Sequence, residues 1–218
     1  MAGAYGPGGL RMPQQARSRA TLDRIVIATQ ELLEEKTFDE ISVTEIVDRA
    51  HSSVGAFYAR FPDKAALLDH LDELYARRMV ECAAEAATAV GNAKTTLVED
   101  VRGLVAFLLE IHRLQPGLLR TLIIEARRRP DGPFGDRTRR MNRMVPPLMG
   151  RLMRHEGEMA HPQPARAAYL GLLMVFAAIR EVTLFPEGLA EFVDYDDLKL
   201  IDELTDAYLR YLGVAEPA

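Results

Sequence analysis

The chain has 218 residues, 48% of them apolar and 27% charged, with a formal net charge of −5. That length allows one substantial core or two unequal ones, and the composition is ordinary for a globular protein. A single cysteine, Cys82, excludes an internal disulfide and a cysteine-rich metal site and fits a reducing cytoplasm.

Residues 1–16 are rich in Gly and Pro, show no apolar periodicity and no apolar signal segment, and are expected to be a disordered tail. Leu22, Ile25, Val26, Thr29, Leu32 and Leu33 then recur at three- and four-residue steps, which predicts a first amphipathic helix. Phe38 and Ile41 lie in the connection that follows and close the bottom of a small core. Ser42-Val43-Thr44-Glu45 has the S-x-x-E spacing of a capping box, so a second helix runs from there to about Ala50, burying Val43, Ile46 and Val47. A turn at His51-Ser52 follows, and Ser53 can cap a two-turn third helix from Val54 to about Arg60. Phe61-Pro62-Asp63-Lys64 ends it, and Asp63 can cap a long fourth helix carrying Leu67, Leu68, Leu71, Leu74, Tyr75 and Met79.

Two helices joined by so tight a turn, the second very short, are the arrangement that lays a recognition helix in the major groove of DNA. The stretch HSSVGAFYARFPDK, residues 51–64, resembles the corresponding part of TetR-type repressors, whose pattern runs through a G-V-S-x-G-T-L-Y-x-x-F-like turn and recognition helix to a Lys at the start of helix four. Ser53, Gly55, Tyr58, Phe61 and Lys64 match it in register. The resemblance is motif-specific over about residues 17–70 and architectural beyond. It implies a DNA-binding domain at 17–64, with its helix-turn-helix at about 42–61, and a helical regulatory and dimerisation domain at 65–218.

The resemblance implies DNA contacts from Thr44, Ser52, Ser53, Val54, Gly55, Ala56, Tyr58 and Lys64, with Arg17 and Arg19 on the N-terminal side. Tyr58 is read as a phosphate contact, with a core aromatic as the other reading. Lys64 opposes the dipole of the helix it starts, which points to a phosphate partner. Gly55 either lets two helices pack closely or lets the backbone approach a phosphate. Thr44 is a phosphate contact or a plain capping-region residue. His51 stands where the family has a turn glycine, and His tolerates positive φ at some cost. Val54 and Ala56 replace Lys and Thr, so readout falls to Ser52 or Ser53, to apolar contact with thymine methyls and to groove shape. Residues 1–64 hold 8 Lys and Arg against 9 Asp and Glu, but Arg11, Arg17, Arg19 and Arg24 crowd the N-terminal side, which predicts strongly salt-dependent binding. Arg11, Arg17 and Arg19 fit a minor-groove arm; a tail that serves solubility alone is the other reading of residues 1–12.

Beyond residue 90 the spacing predicts five further helices, for an all-α chain of about nine. They are Thr95 or Thr96 to Leu114, Pro116 to Arg128, residues 136–156 with a kink at Pro146-Pro147, residues 163–184, and about Asp196 to Leu212, with a loop at 128–135. The run AAYLGLLMVFAAI is read as too short for a membrane span and too uniformly apolar for one face of a monomer. The resemblance assigns 163–184 and 196–212 to homodimerisation, which would set two reading heads on palindromic half-sites about 34–36 Å or a multiple apart; an entirely internal core helix is the other reading of the apolar run.

A regulator needs a trigger. The resemblance implies a small-molecule effector that prefers the conformation unable to span the operator, with separation of the heads altered through the fourth helix. Phe107, Ile111, His112, Leu118, Leu122, Met144, Leu148, Met174, Phe176 and Ile179 are the expected lining, each with a plain core role as its alternative; they suit a hydrophobic or amphipathic ligand. Residues 113–154 hold 11 arginines against Glu125, Asp131 and Asp136. They form a solvated face or, through Arg120, Arg127 or Arg143, counter-charges for an anionic effector. His112, His155 and His161 with Glu110, Glu156 and Glu158 have no metal-ligand or catalytic spacing, so no enzyme, metal or cofactor is expected. The expectation is a cytoplasmic, homodimeric repressor with double-stranded DNA and an effector as partners and no membrane; the alternative is a helical small-molecule carrier whose helix-turn-helix no longer reads DNA.

Overall fold

The computed structural model describes residues 14–88, 95–128, 139, 142–188 and 196–214. Among them are nine α-helices and no strand: α1 (Gln14–Glu35), α2 (Val43–Arg49), α3 (Val54–Tyr58), α4 (Lys64–Thr88), α5 (Leu97–Leu114), α6 (Pro116–Arg128), α7 (Val145–Leu152), α8 (Pro164–Leu184) and α9 (Asp197–Leu212). The chain divides into two compact units, Met1–Leu71 and Asp72–Ala218, so α4 begins in the first and continues in the second.

The first unit is built around Ile25, Leu32, Phe38, Ile41, Ile46, Phe57, Leu67 and Leu71, all buried. Val43, expected inside, is half-buried because it sits at the first position of α2. The capping box forms as its spacing predicts: Ser42 Oγ accepts from the Glu45 amide at 3.2 Å, and Glu45 accepts from the Ser42 amide at 2.9 Å. Lys36, 2.6 Å from the other Glu45 oxygen, and then Ser42 hold that carboxyl down to about 2. Arg49 grips Glu35 with two bonds of 2.9 and 3.0 Å, and Arg24 Nε donates to the Ala50 carbonyl at 3.0 Å, fastening the C-terminal end of α2 to α1. Gln14–Ala16, expected in the tail, are already helical; residues 1–13, Arg11 among them, lie outside the described residues.

In the second unit α5 packs against α8 and α9, with α6 and α7 on the remaining sides. Thr96 caps α5 through a second capping box with Glu99. Pro116 opens α6 after Gln115 turns to φ −147° and ψ 68°, because the residue before a proline is pushed out of the helical region. Asp196 caps α9, and Gly213 ends it at φ 76°.

Two expectations change here. Pro146 and Pro147 do not kink the middle of a 136–156 helix: they lie in the first turn of α7, where a missing N–H costs nothing, and α7 gives way at Met153 to a 3₁₀ stretch ending at Glu158. Residues 136–138, 140 and 141, and most of the expected 128–135 loop, are outside the described residues. The apolar run of α8 belongs to a 21-residue helix that is long and apolar enough, by length and composition, to cross a membrane. The core helix of a helical bundle passes the same test, and α8 buries Ala167, Ala168, Gly171, Leu172, Val175 and Ile179 within its unit.

Candidate functional site

The turn between α2 and α3 depends on one residue. His51 has φ 47°, the one non-glycine left-handed residue among those described. Its amide bonds the Asp48 carbonyl at 3.1 Å, and the Ser52 amide returns to Val47 at 2.8 Å, which closes the turn. Ser53 then caps α3, its Oγ accepting from the Ala56 amide at 3.1 Å. Phe57 and Phe61 anchor α3 from below, with ring centroids 5.6 Å apart and Phe57 fully buried. With Phe57 fixed inward, the opposite face turns to solvent: Ser53, Val54, Gly55 and Tyr58 are exposed, and Ser52 and Ala56 are half-buried. Tyr58 shows 54% of its surface and packs edge-on against Phe57 at 5.4 Å, which directs the phenol outward from a rigid base. A Cβ at Gly55 would meet nothing closer than Ser53 Oγ at 4.0 Å, so close helix packing does not require glycine there.

Thr44 and Arg19 are exposed as well, while the side chain of Arg17 lies outside the described residues. Arg60 bonds Ser18 at 3.0 Å and the Ala56 carbonyl at 2.6 Å, tying the start of α1 to the end of α3. Lys64 departs from the reading as a phosphate clamp. Its Nζ donates to the carbonyls of Phe38 and Ile41 at 2.6 and 2.7 Å and sits 4.4 Å above the Phe38 ring. The cation at this helix start is thus explained by the carbonyls of the α1–α2 connection, without a phosphate.

Residues 25–71 match the family profile "Bacterial regulatory proteins, tetR family". Among curated proteins none matches the chain. Solved TetR-type structures share its fold. A bacterial regulatory protein in the tetR family from Rhodococcus RHA1 aligns at 20% identity and TM-score 0.63, over 90% of this chain and 98% of that one. GusR of Salmonella enterica aligns at 20% and 0.64, over 88% and 95%. A FadR regulator from Bacillus subtilis, solved in complex with stearoyl-CoA, aligns at 18% and 0.56, over 87% and 96%. At these identities the likeness carries the fold alone.

Within the second unit lies a cavity of about 320 Å³ between α4, α5, α6, α7 and α8. Of the expected lining, Ile111, His112, Met144, Leu148 and Phe176 border it. Leu118, Leu122 and Ile179 do not; each is fully buried on the core side of its helix. Phe107 borders a separate small space beside Asp100 and Arg151, and Met174 faces solvent. Helical spacing identifies an apolar face but cannot divide it between packed core and cavity wall.

Sequence reasoning missed Tyr75, Asn142, Tyr169 and Arg180 in the lining. Of the three arginines weighed as counter-charges, Arg127 borders the cavity, Arg143 borders a different groove, and Arg120 borders neither. The signal for Arg180 was present, since it interrupts an otherwise apolar helix one turn beyond Phe176. His112 Nδ1 lies 2.7 Å from the Leu108 carbonyl, and its ring meets Phe176 edge-on at 5.0 Å. Burial and then the nearby Arg180 charge lower the His112 pKa, against the Leu108 hydrogen bond.

The other histidines have separate settings. His155 lies 3.0 Å from Asp100 and 2.7 Å from Glu158, and His161 packs against Tyr211 at 5.5 Å. Among the described residues no cluster of three His, Cys, Asp or Glu side chains is arranged to hold a metal.

Proposed function

We propose that this protein is a homodimeric transcriptional repressor that binds a palindromic operator and is released by a small amphipathic ligand. One observation carries the reading. The α2–α3 turn is built at the expense of a left-handed His51, and it turns a face of α3 with Ser53, Val54, Gly55 and Tyr58 to solvent above a rigid Phe57 base. Such a face, poor in bidentate donors, suits contact with thymine methyls and the phosphate backbone. Arg19 and the Tyr58 phenol are its proposed phosphate partners, and chromosomal DNA makes the cytoplasm its compartment.

The dimer is supported by α8. Tyr169, Leu170, Leu173 and Met174 are exposed together along it, a contiguous apolar strip of the kind that a two-fold copy covers. The cavity of the second unit supports effector binding, and the FadR relative crystallised with stearoyl-CoA makes a long acyl compound a reasonable starting point for screening.

Selection of duplexes from a random pool tests the reading. A recovered palindrome whose affinity falls steeply with salt supports it, and an effector that weakens that binding supports release. Failure to enrich any duplex, with ligand binding intact, favours a helical carrier instead.

A further inference from the structure

The polar atoms of the cavity constrain what can occupy it. A carbonyl oxygen only accepts, so the 2.7 Å contact between Leu108 O and His112 Nδ1 puts the ring proton on Nδ1. The opposite nitrogen, Nε2, then presents a lone pair. His112 is 1% exposed and borders the cavity, and its Nε2 has no hydrogen-bond partner. The Arg180 Nε, on the next helix around the same cavity, is also buried and unpartnered. Arg127 adds a second cation to the lining, while no Asp or Glu among the described residues is part of it. Tyr75, Asn142 and Tyr169 also border it, and apolar groups, chiefly Leu108, Ile111, Met144, Leu148, Leu172 and Phe176, make up the rest of the wall.

A buried acceptor left unmatched costs about 1–3 kcal/mol, and a buried donor of a charged group costs more, so a complementary ligand gains from both. An anion satisfies Arg180 and leaves His112 unmatched, because a carboxylate carries no donor. An alcohol satisfies His112 and leaves Arg180 unmatched. One molecule meets both demands only if it carries an anionic group and a neighbouring donor on an apolar body.

We propose that the cavity binds a hydroxylated aliphatic carboxylic acid, with its carboxylate on Arg180, its hydroxyl donating to His112 Nε2 and its chain along the apolar wall. Burial keeps the His112 ring neutral, which preserves the acceptor. The proposal rests on the effector-binding reading of the second unit. It concerns ligand binding alone, so it is tested without DNA and its failure is separable from failure to find an operator.

The test is titration calorimetry on the full chain with 3-hydroxydecanoate, decanoate and 1,3-decanediol. A lost donor at a buried acceptor corresponds to roughly a 5- to 150-fold loss of affinity. The expected result is 3-hydroxydecanoate binding at least about tenfold more tightly than either analogue. His112→Phe should abolish the preference over decanoate, His112→Gln, which retains an acceptor, should keep part of it, and Arg180→Gln should abolish the preference over the diol. Equal binding of decanoate and 3-hydroxydecanoate by the unsubstituted protein overturns the proposal without any variant. So does heat from none of the three, or a hydroxyl preference that survives His112→Phe in a variant with an unchanged unfolding midpoint.

Discussion

The ring of Tyr208 lies flat on α8 at Gly171, where a Cβ would overlap three of its ring carbons. Tyr208 cannot swing aside, because it is 1% exposed and its hydroxyl donates to the Ala168 carbonyl one turn earlier. The glycine is therefore a packing requirement that lets α9 approach α8. Gly171→Ala gains up to about 1 kcal/mol of helix propensity but meets overpacking of about 1–3 kcal/mol with no room to relax. A lowered thermal midpoint by circular dichroism is expected, and Gly171→Ala/Tyr208→Leu should recover part of it. A midpoint for Gly171→Ala at or above that of the parent removes the requirement.

His51 bears the strain of the α2–α3 turn. Left-handed backbone costs an ordinary residue roughly 1–2 kcal/mol, and more when it is β-branched. His51→Gly is expected to hold or raise stability to urea, whereas His51→Val should lose about 1–2 kcal/mol and weaken duplex binding with it. Equal denaturation curves for the two variants contradict the strain argument.

Lys64 serves the fold of the first unit. Lys64→Met leaves the Phe38 and Ile41 carbonyls without their donor, a loss of about 1–3 kcal/mol. For the fraction that remains folded, the slope of log affinity for DNA against log salt should stay unchanged. Arg19→Ala, by contrast, should reduce that slope by about 1 with little effect on stability. A slope that falls in Lys64→Met returns the residue to the phosphate-binding set.

The buried Asp100 carboxylate ties α5 to α7 and the stretch after it. Arg151 reaches one of its oxygens at 2.7 and 2.8 Å, and His155 reaches the other at 3.0 Å, with Arg154 3.6 Å away. Asp100→Ala strands the mostly buried Arg151 guanidinium, and a loss of about 3–5 kcal/mol is expected.

The same cluster predicts a pH profile. Burial acts to raise the Asp100 pKa, but hydrogen bonds from Arg151, Thr95 and His155 outweigh it and the net shift is downward. Burial acts to lower the His155 pKa, but Glu158 and Asp100 outweigh it and the net shift is upward. A lowered carboxyl stabilises above its unfolded value, and that contribution disappears as pH falls through the folded one. A raised imidazole stabilises below its unfolded value, and that contribution disappears as pH rises through the folded one. The pair therefore contributes most between about pH 4 and 6.5. Urea midpoints of the parent minus those of His155→Gln should be largest there and shrink above about pH 7; a difference that grows with pH refutes the assignment.

The sequence by itself determined the local features. The Ser42 capping box, the Ser53 cap, the proline start of α6 and the left-handed His51 turn are contests between residues a few positions apart, so composition at fixed spacing decides them. The same holds for which face of each helix is apolar. Period alone could not say what that face meets. Lys64 finds carbonyls 23 and 26 residues away, so its charge was read against its own helix rather than against a distant connection. Pro146 and Pro147 look like an interior kink until the chain before them proves not to be the same helix. His112 and Arg180 share a cavity although a whole run of helices separates them, and Leu118 and Ile179, just as apolar as the lining, do not. Tertiary packing decided these points because it fixes distances between groups whose separation along the chain carries no information about them.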